Sequence, residues 1–147
     1  MRKTMTGAVM AAALALPAAA EEPITHTVQD SFDNVAFAIE SAIVGRGLVI
    51  DYVSHVGEML ERTREDVGSD VMLFTEANVF LFCSATTSRE VMEADPMNLQ
   101  HCPYGIFVAE TADAEGQITV GYRDYPDGAM QPVEDLLASI VAEALGL

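Results

Sequence analysis

The sequence predicts an α+β fold, an antiparallel-rich sheet with two long helices on one face, and three observations predict it. An amphipathic helical pattern stands near each end of the chain, short β-patterned runs fill the middle, and two of these runs flank a turn sequence. The 147 residues carry no internal repeat, low-complexity tract or linker. One domain is therefore the expectation.

The first run, ITHTVQ from residue 24, alternates Ile24, His26 and Val28 against Thr25, Thr27 and Gln29, the period of a half-buried strand. Ser31 then stands where a helix cap belongs. Phe32, Val35, Ala36, Ile39 and Ile43 follow helical spacing, Asp33 suits the first turn, and Gly45 and Gly47 punctuate the end. Residues 48–56 (LVIDYVSHV) read as a strand with His55 at its rim. Residues 58–67 read as a short surface helix supported by Glu58/Arg62 and Arg62/Asp66 and stopped by Gly68. The run Val71-Met72-Leu73-Phe74 is too short to declare a period.

A buried strand is expected over residues 79–84, followed by a short helix from Thr87 with Glu90 as its capping-box partner. Asp95-Pro96 ends that helix. Residues 104–110 and 117–124 form the arms of a hairpin around Asp113-Ala114-Glu115-Gly116, with Ile118, Val120 and Tyr122 inward. The last helix begins with Pro132 in its first position, and Val133, Leu136, Leu137, Ile140, Val141 and Ala144 make its apolar stripe.

The amino terminus predicts export. Arg2 and Lys3 form a positive n-region, residues 7–16 are apolar but too short to span a bilayer, and Pro17-Ala18-Ala19-Ala20 offers cleavage between Ala20 and Glu21. Residues 1–20 thus read as a secretory signal, leaving residues 21–147 as one domain in the periplasm or outside the cell. That mature chain holds five arginines, no lysine and 23 acidic residues, a net charge of −18. Such a balance repels phosphate backbones and anionic lipid, so neither nucleic acid nor a membrane surface is an expected partner.

Two cysteines carry what chemistry the sequence offers. Cys83 ends one apolar run and Cys102 precedes another, and in an antiparallel meander those positions fall on one sheet edge. Three readings follow. The pair can be a structural disulfide, as an oxidising compartment favours. It can be a redox-active or sulfur-handling dithiol, with Arg89 in the crossover helix as the cation that lowers a thiolate pKa. It can bind a soft metal such as copper or zinc, or haem, with His101, His55, Met92 and Met97 as further ligands. Cys102-Pro103 resembles the dipeptide of haem-regulatory motifs, but no CxxC, HxxxH or HExxH spacing accompanies it. Asp95 and Tyr104 stand next to this region as supporting residues. No cofactor is required by the sequence.

No glycine-rich phosphate loop and no GxSxG elbow appears, and Gly45-Arg46-Gly47 is a helix stop. The expectation is therefore a non-catalytic ligand-binding or accessory module whose working edge holds Cys83, Cys102 and His101.

The block Phe82-Cys83-Ser84, Asp95-Pro96, Cys102 to Glu110 and Tyr122-Arg123, together with Ser31-Phe32 and Gly47-Leu48, resembles the domain of unknown function 302 family, in particular its exported proteobacterial members. The resemblance spans roughly residues 25–145. It implies a β-α-β4-α fold of the TATA-binding-protein-like class and a tendency to form homodimers, with no established activity. Cytosolic members have Asn-Pro after the first cysteine and proline before the second; here Ser84-Ala85 and His101 take those places. A small ligand or a periplasmic redox protein is the partner class this reading leaves.

Overall fold

The computed structural model describes residues 22–147, so the expected signal segment and the expected Ala20/Glu21 cleavage site lie outside the described residues. In chain order the elements are β1 (Ile24–Gln29), α1 (Phe32–Gly45), β2 (Val49–Ser54), α2 (Val56–Thr63), β3 (Phe74–Cys83) and α3 (Ala85–Ala94). A 3₁₀ helix (Pro96–His101), β4 (Tyr104–Thr111), β5 (Gln117–Tyr122) and α4 (Gln131–Leu145) complete the chain. Without the short inserted helices this is β-α-β4-α. The α+β class expected from the sequence is the one observed.

The five strands form one sheet in the order β1-β5-β4-β3-β2, and every neighbouring pair is antiparallel. Because β1 and β2 are the two edges, α1 must cross the sheet to join them, and α4 packs beside it. Ser31 starts α1 as expected: its Oγ accepts the N–H of Asn34 at 3.3 Å. Asp30 Oδ1 adds bonds from the Asn34 side chain and the Ser31 N–H, which hold its carboxyl below the usual range. Beyond Gly45 the chain turns at Gly47, whose φ of 74° is the left-handed region glycine adopts without strain.

Alternation along the strands separates two faces. Phe82, Ile106, Val108, Ile118 and Val120 point to the helices and meet Ile39 and Ile43 of α1 and Leu137, Ile140 and Val141 of α4 in one buried cluster. Among the described residues the opposite face has no helix layer of its own, and it carries the cross-strand pairs Val79/Phe107, Leu81/Gly105 and Phe107/Gly121.

Several boundaries differ from the sequence expectation. The strand expected through Val56 stops at Ser54, and the next helix begins at Val56 and ends at Thr63 instead of running from 58 to 67. Close packing explains the early start: a Cβ on Gly57 would lie 2.6 Å from the Ala77 backbone nitrogen, so only glycine lets α2 sit this close to β3. β3 begins at Phe74 and not at Val79, because the polar residues Thr75, Glu76 and Asn78 belong to its outer half, where pairing with β4 stabilises a stretch that hydrophobicity does not announce. Only Phe74 of the ambiguous run is strand.

The cap of α3 is Ser84, whose Oγ accepts the Thr87 N–H at 3.2 Å; the expected Thr87/Glu90 box therefore lies inside the helix, not at its start. β5 ends at Tyr122, two residues short of the expectation, and the 3₁₀ helix was not anticipated. On α4 the fully buried residues are Val133, Leu137, Ile140 and Val141, while Leu136 is only half-buried at the flank of the stripe. Among the described residues no helix is long and apolar enough to cross a membrane.

Candidate functional site

Cys83, the last residue of β3, and Cys102, just after the 3₁₀ helix, are joined by a disulfide with their Cα atoms 6.5 Å apart. The pair is thus a closed disulfide, a state that the structural reading and the oxidised form of a redox pair share. While the bond is closed, neither sulfur is a thiolate, the form that metal binding or nucleophilic attack requires.

The connection between the two cysteines is built locally, one bond at a time. Asp95 Oδ1 accepts the Met97 N–H at 2.9 Å and so starts the 3₁₀ helix. The buried Asn98 donates through Nδ2 to the Val91 carbonyl at 2.8 Å and ties that helix to α3. His101, at its end, meets the Tyr125 ring edge to face at 5.6 Å, and Tyr125 meets Tyr104 in the same manner at 6.4 Å. Tyr104 is fully buried, its hydroxyl 2.9 Å from Ser88 Oγ of α3. An aromatic chain therefore fastens the disulfide segment to the core.

This segment walls a cleft of about 580 Å³ on the uncovered face of the sheet. Its floor is apolar, made by Val79, Leu81 and Phe107 around Gly105. Gly105 keeps the floor low: a Cβ there would come 3.3 Å from Leu81 Cδ2 and 3.4 Å from Val79 Cγ1. Gly121 does the same under Phe107, whose ring lies where a side chain would stand, 2.5 Å from the position of a Cβ. Gln100, His101, Cys102, Arg123 and Tyr125 form its walls, together with Pro23 and Pro103.

Two polar groups of the walls are notable. His101 Nδ1 is buried and has no hydrogen-bond partner among the described residues, a state that costs free energy unless something polar meets it. Burial pushes the Tyr125 phenol above its usual range, and the Arg123 charge pulls in the opposite direction, so the guanidinium is close enough to act on it.

The remaining sequence candidates are elsewhere. His55 lines a second cleft of similar volume, between α1 and α2, where its Nδ1 is 2.9 Å from Asn78 Oδ1. That cleft is acidic. Asp33, Glu58, Glu61 and Glu76 line it, and burial, with help from Asp33 and Glu110, raises the Glu76 carboxyl above its usual range. Met97 is 65% exposed and does not line the disulfide cleft. Arg89 points to solvent and pairs with Glu93 at 2.8 Å. The structure thus brings Cys102 and His101 together at the cleft, with Cys83 bonded behind it, and leaves His55, Met97 and Arg89 outside. Among the described residues no group of three or more His, Cys, Asp or Glu side chains is placed to hold a metal ion.

Gly105, Phe107, Arg123 and Tyr125 are not among the candidate site residues read from the sequence, although the first three lie in the stretches that carry the family resemblance. The available signal was glycine inside two strand patterns, which marks a close approach or an empty place on a sheet face.

The family model described as domain of unknown function DUF302 matches residues 24–145. No curated protein matches the sequence. Among solved structures, the uncharacterized conserved protein DUF302 from Bacillus stearothermophilus is similar, with a TM-score of 0.56 at 14% sequence identity over 84% of this chain and 88% of that one. That likeness is one of fold. With the family model covering nearly all of the described residues, the chain belongs to the DUF302 family.

Proposed function

We propose that the protein is an exported, non-catalytic module that binds a small ligand in the cleft beside the Cys83–Cys102 disulfide. The observation that carries the reading is the glycine floor: Gly105 leaves an apolar hollow on the open face of the sheet, and the disulfide holds a wall of polar groups over it. An apolar floor with a few convergent polar groups is the usual make-up of a small-molecule site. The disulfide and the positively charged, apolar amino terminus support action outside the cytoplasm.

The test fills the hollow. Naphthalenemethanol, an apolar ring with a neutral head group, is expected to bind the oxidised protein saturably, and Gly105→Val is expected to weaken it about tenfold or more, a loss of about 1.4 kcal/mol. Valine suits a strand, and the atoms it would meet belong to movable side chains, so the variant is expected to fold. Unchanged binding by Gly105→Val would remove the cleft from consideration.

Thiol exchange with a periplasmic redox protein is the second reading. It is favoured by one observation, that Cys102 lines the cleft and is only partly buried. Against it, Arg89 is held by Glu93 and exposed, so the cation expected to favour a thiolate is engaged elsewhere.

A further inference from the structure

The disulfide cleft is an electrostatic exception in this protein. The sequence has 23 acidic residues against seven basic ones, yet among the described residues no aspartate or glutamate lines this cleft. Its ionisable groups are Arg123, His101 and Tyr125. The α1–α2 cleft, of the same volume, is lined by four carboxylates. A surface this acidic does not leave one concave apolar site free of carboxylates without consequence for what can enter it.

Arg123 is also available. Arg46 is paired with Glu143 at 2.7 Å, Arg64 with Glu61 at 3.0 Å and Arg89 with Glu93 at 2.8 Å, whereas Arg123, like Arg62 of the α1–α2 cleft, has no ion pair among the described residues. A guanidinium presents its donors as a planar fork that matches a carboxylate with two parallel hydrogen bonds. Next to it, the floor of Val79, Leu81 and Phe107 offers area to a flat apolar body.

We infer that the ligand of this cleft is a small organic anion, a carboxylate seated on Arg123 with a flat apolar body lying over Gly105 between Leu81 and Phe107. The inference rests on the ligand-binding reading and narrows it to a chemical class. Cationic and sugar-like ligands fit poorly, the first because nothing in the cleft balances their charge, the second because the floor offers no hydrogen bonds.

Three probes that share one ring system and differ in head group separate the possibilities. The oxidised protein is titrated with naphthoate, naphthalenemethanol and naphthylmethylammonium. Naphthoate is expected to bind about tenfold more tightly than the alcohol, and the ammonium compound most weakly, because a charge-assisted fork is available to the first alone. Arg123→Gln is expected to abolish the advantage of the acid over the alcohol, and Arg123→Lys to restore part of it, since lysine keeps the charge and loses the fork. Arg123 is exposed, so these variants are expected to fold. Equal binding of the three probes, or a preference for naphthoate that survives Arg123→Gln, would overturn the anion inference and leave the ligand-binding reading standing. Saturable binding of none of them would overturn both.

Discussion

Ile140→Ala is expected to lower the unfolding free energy by about 2–5 kcal/mol, and Leu136→Ala, one helical turn earlier, by about 1–2 kcal/mol. Ile140 is completely buried between the sheet and α1, in a cluster with Leu137, Val141, Ile39 and Ile43. Removing its branched end leaves a cavity that two packed helices and a sheet cannot close, so the lost transfer energy and the cavity term add. Leu136 sits at the flank of the same helix and is only half-buried, so less area is lost and solvent fills the gap. Urea midpoints at unchanged slope measure both differences. A midpoint for Ile140→Ala equal to that of the parent would mean that α4 does not cover the sheet.

Loss of the disulfide is the second large effect. The bond closes a loop between residues 19 apart in sequence, for which the chain-entropy model gives about 3 kcal/mol. Cys83→Ala and Cys102→Ala are each expected to cost about 2–4 kcal/mol, and the double variant little more than either, because all three lack the same bond. The Asn98 bond to Val91 and the Asp95 cap remain in these variants, so the 3₁₀ helix keeps its anchor to α3 and the fold survives. Additive losses in the double variant would show that each cysteine stabilises through packing and not through the bond. A pair that labels as two free thiols in protein recovered under oxidising conditions would remove the bond altogether.

The parts of the fold legible in the sequence were those whose side chains alternate cleanly. Val133, Leu137, Ile140 and Val141 repeat at helical spacing, and Ile118, Val120 and Tyr122 at strand spacing, and all are buried in one core. The outer half of β3 was hidden because Thr75, Glu76 and Asn78 are polar; they are strand by pairing with β4, a long-range interaction that no local pattern encodes. The start of α2 was hidden for a related reason, since it depends on how closely Gly57 approaches Ala77.

The site was legible in part. The positions of Cys83 and Cys102 at strand ends across a crossover predict that they lie near one another, and the structure joins them, with Cys102 and His101 lining the cleft. Its floor was obscured because Gly105 and Phe107 sit on the face opposite Tyr104, Ile106 and Val108, and hydrophobic alternation directs attention to the inward set. His55 and Met97 were attractive only as residue types. Ligand sets are made by three-dimensional placement, and the structure puts His55 in the other cleft and Met97 in solvent.

The central claim is that the cleft beside the disulfide is where this protein meets its ligand. A backbone-amide shift map tests it most directly, recorded on the oxidised, ¹⁵N-labelled protein during titration with naphthoate. The account predicts saturable shifts concentrated at Leu81, Cys102, Gly105, Phe107 and Arg123, with His55, Glu58 and Glu76 unmoved. Shifts centred on His55 and Glu76, or none that saturate anywhere, would contradict it.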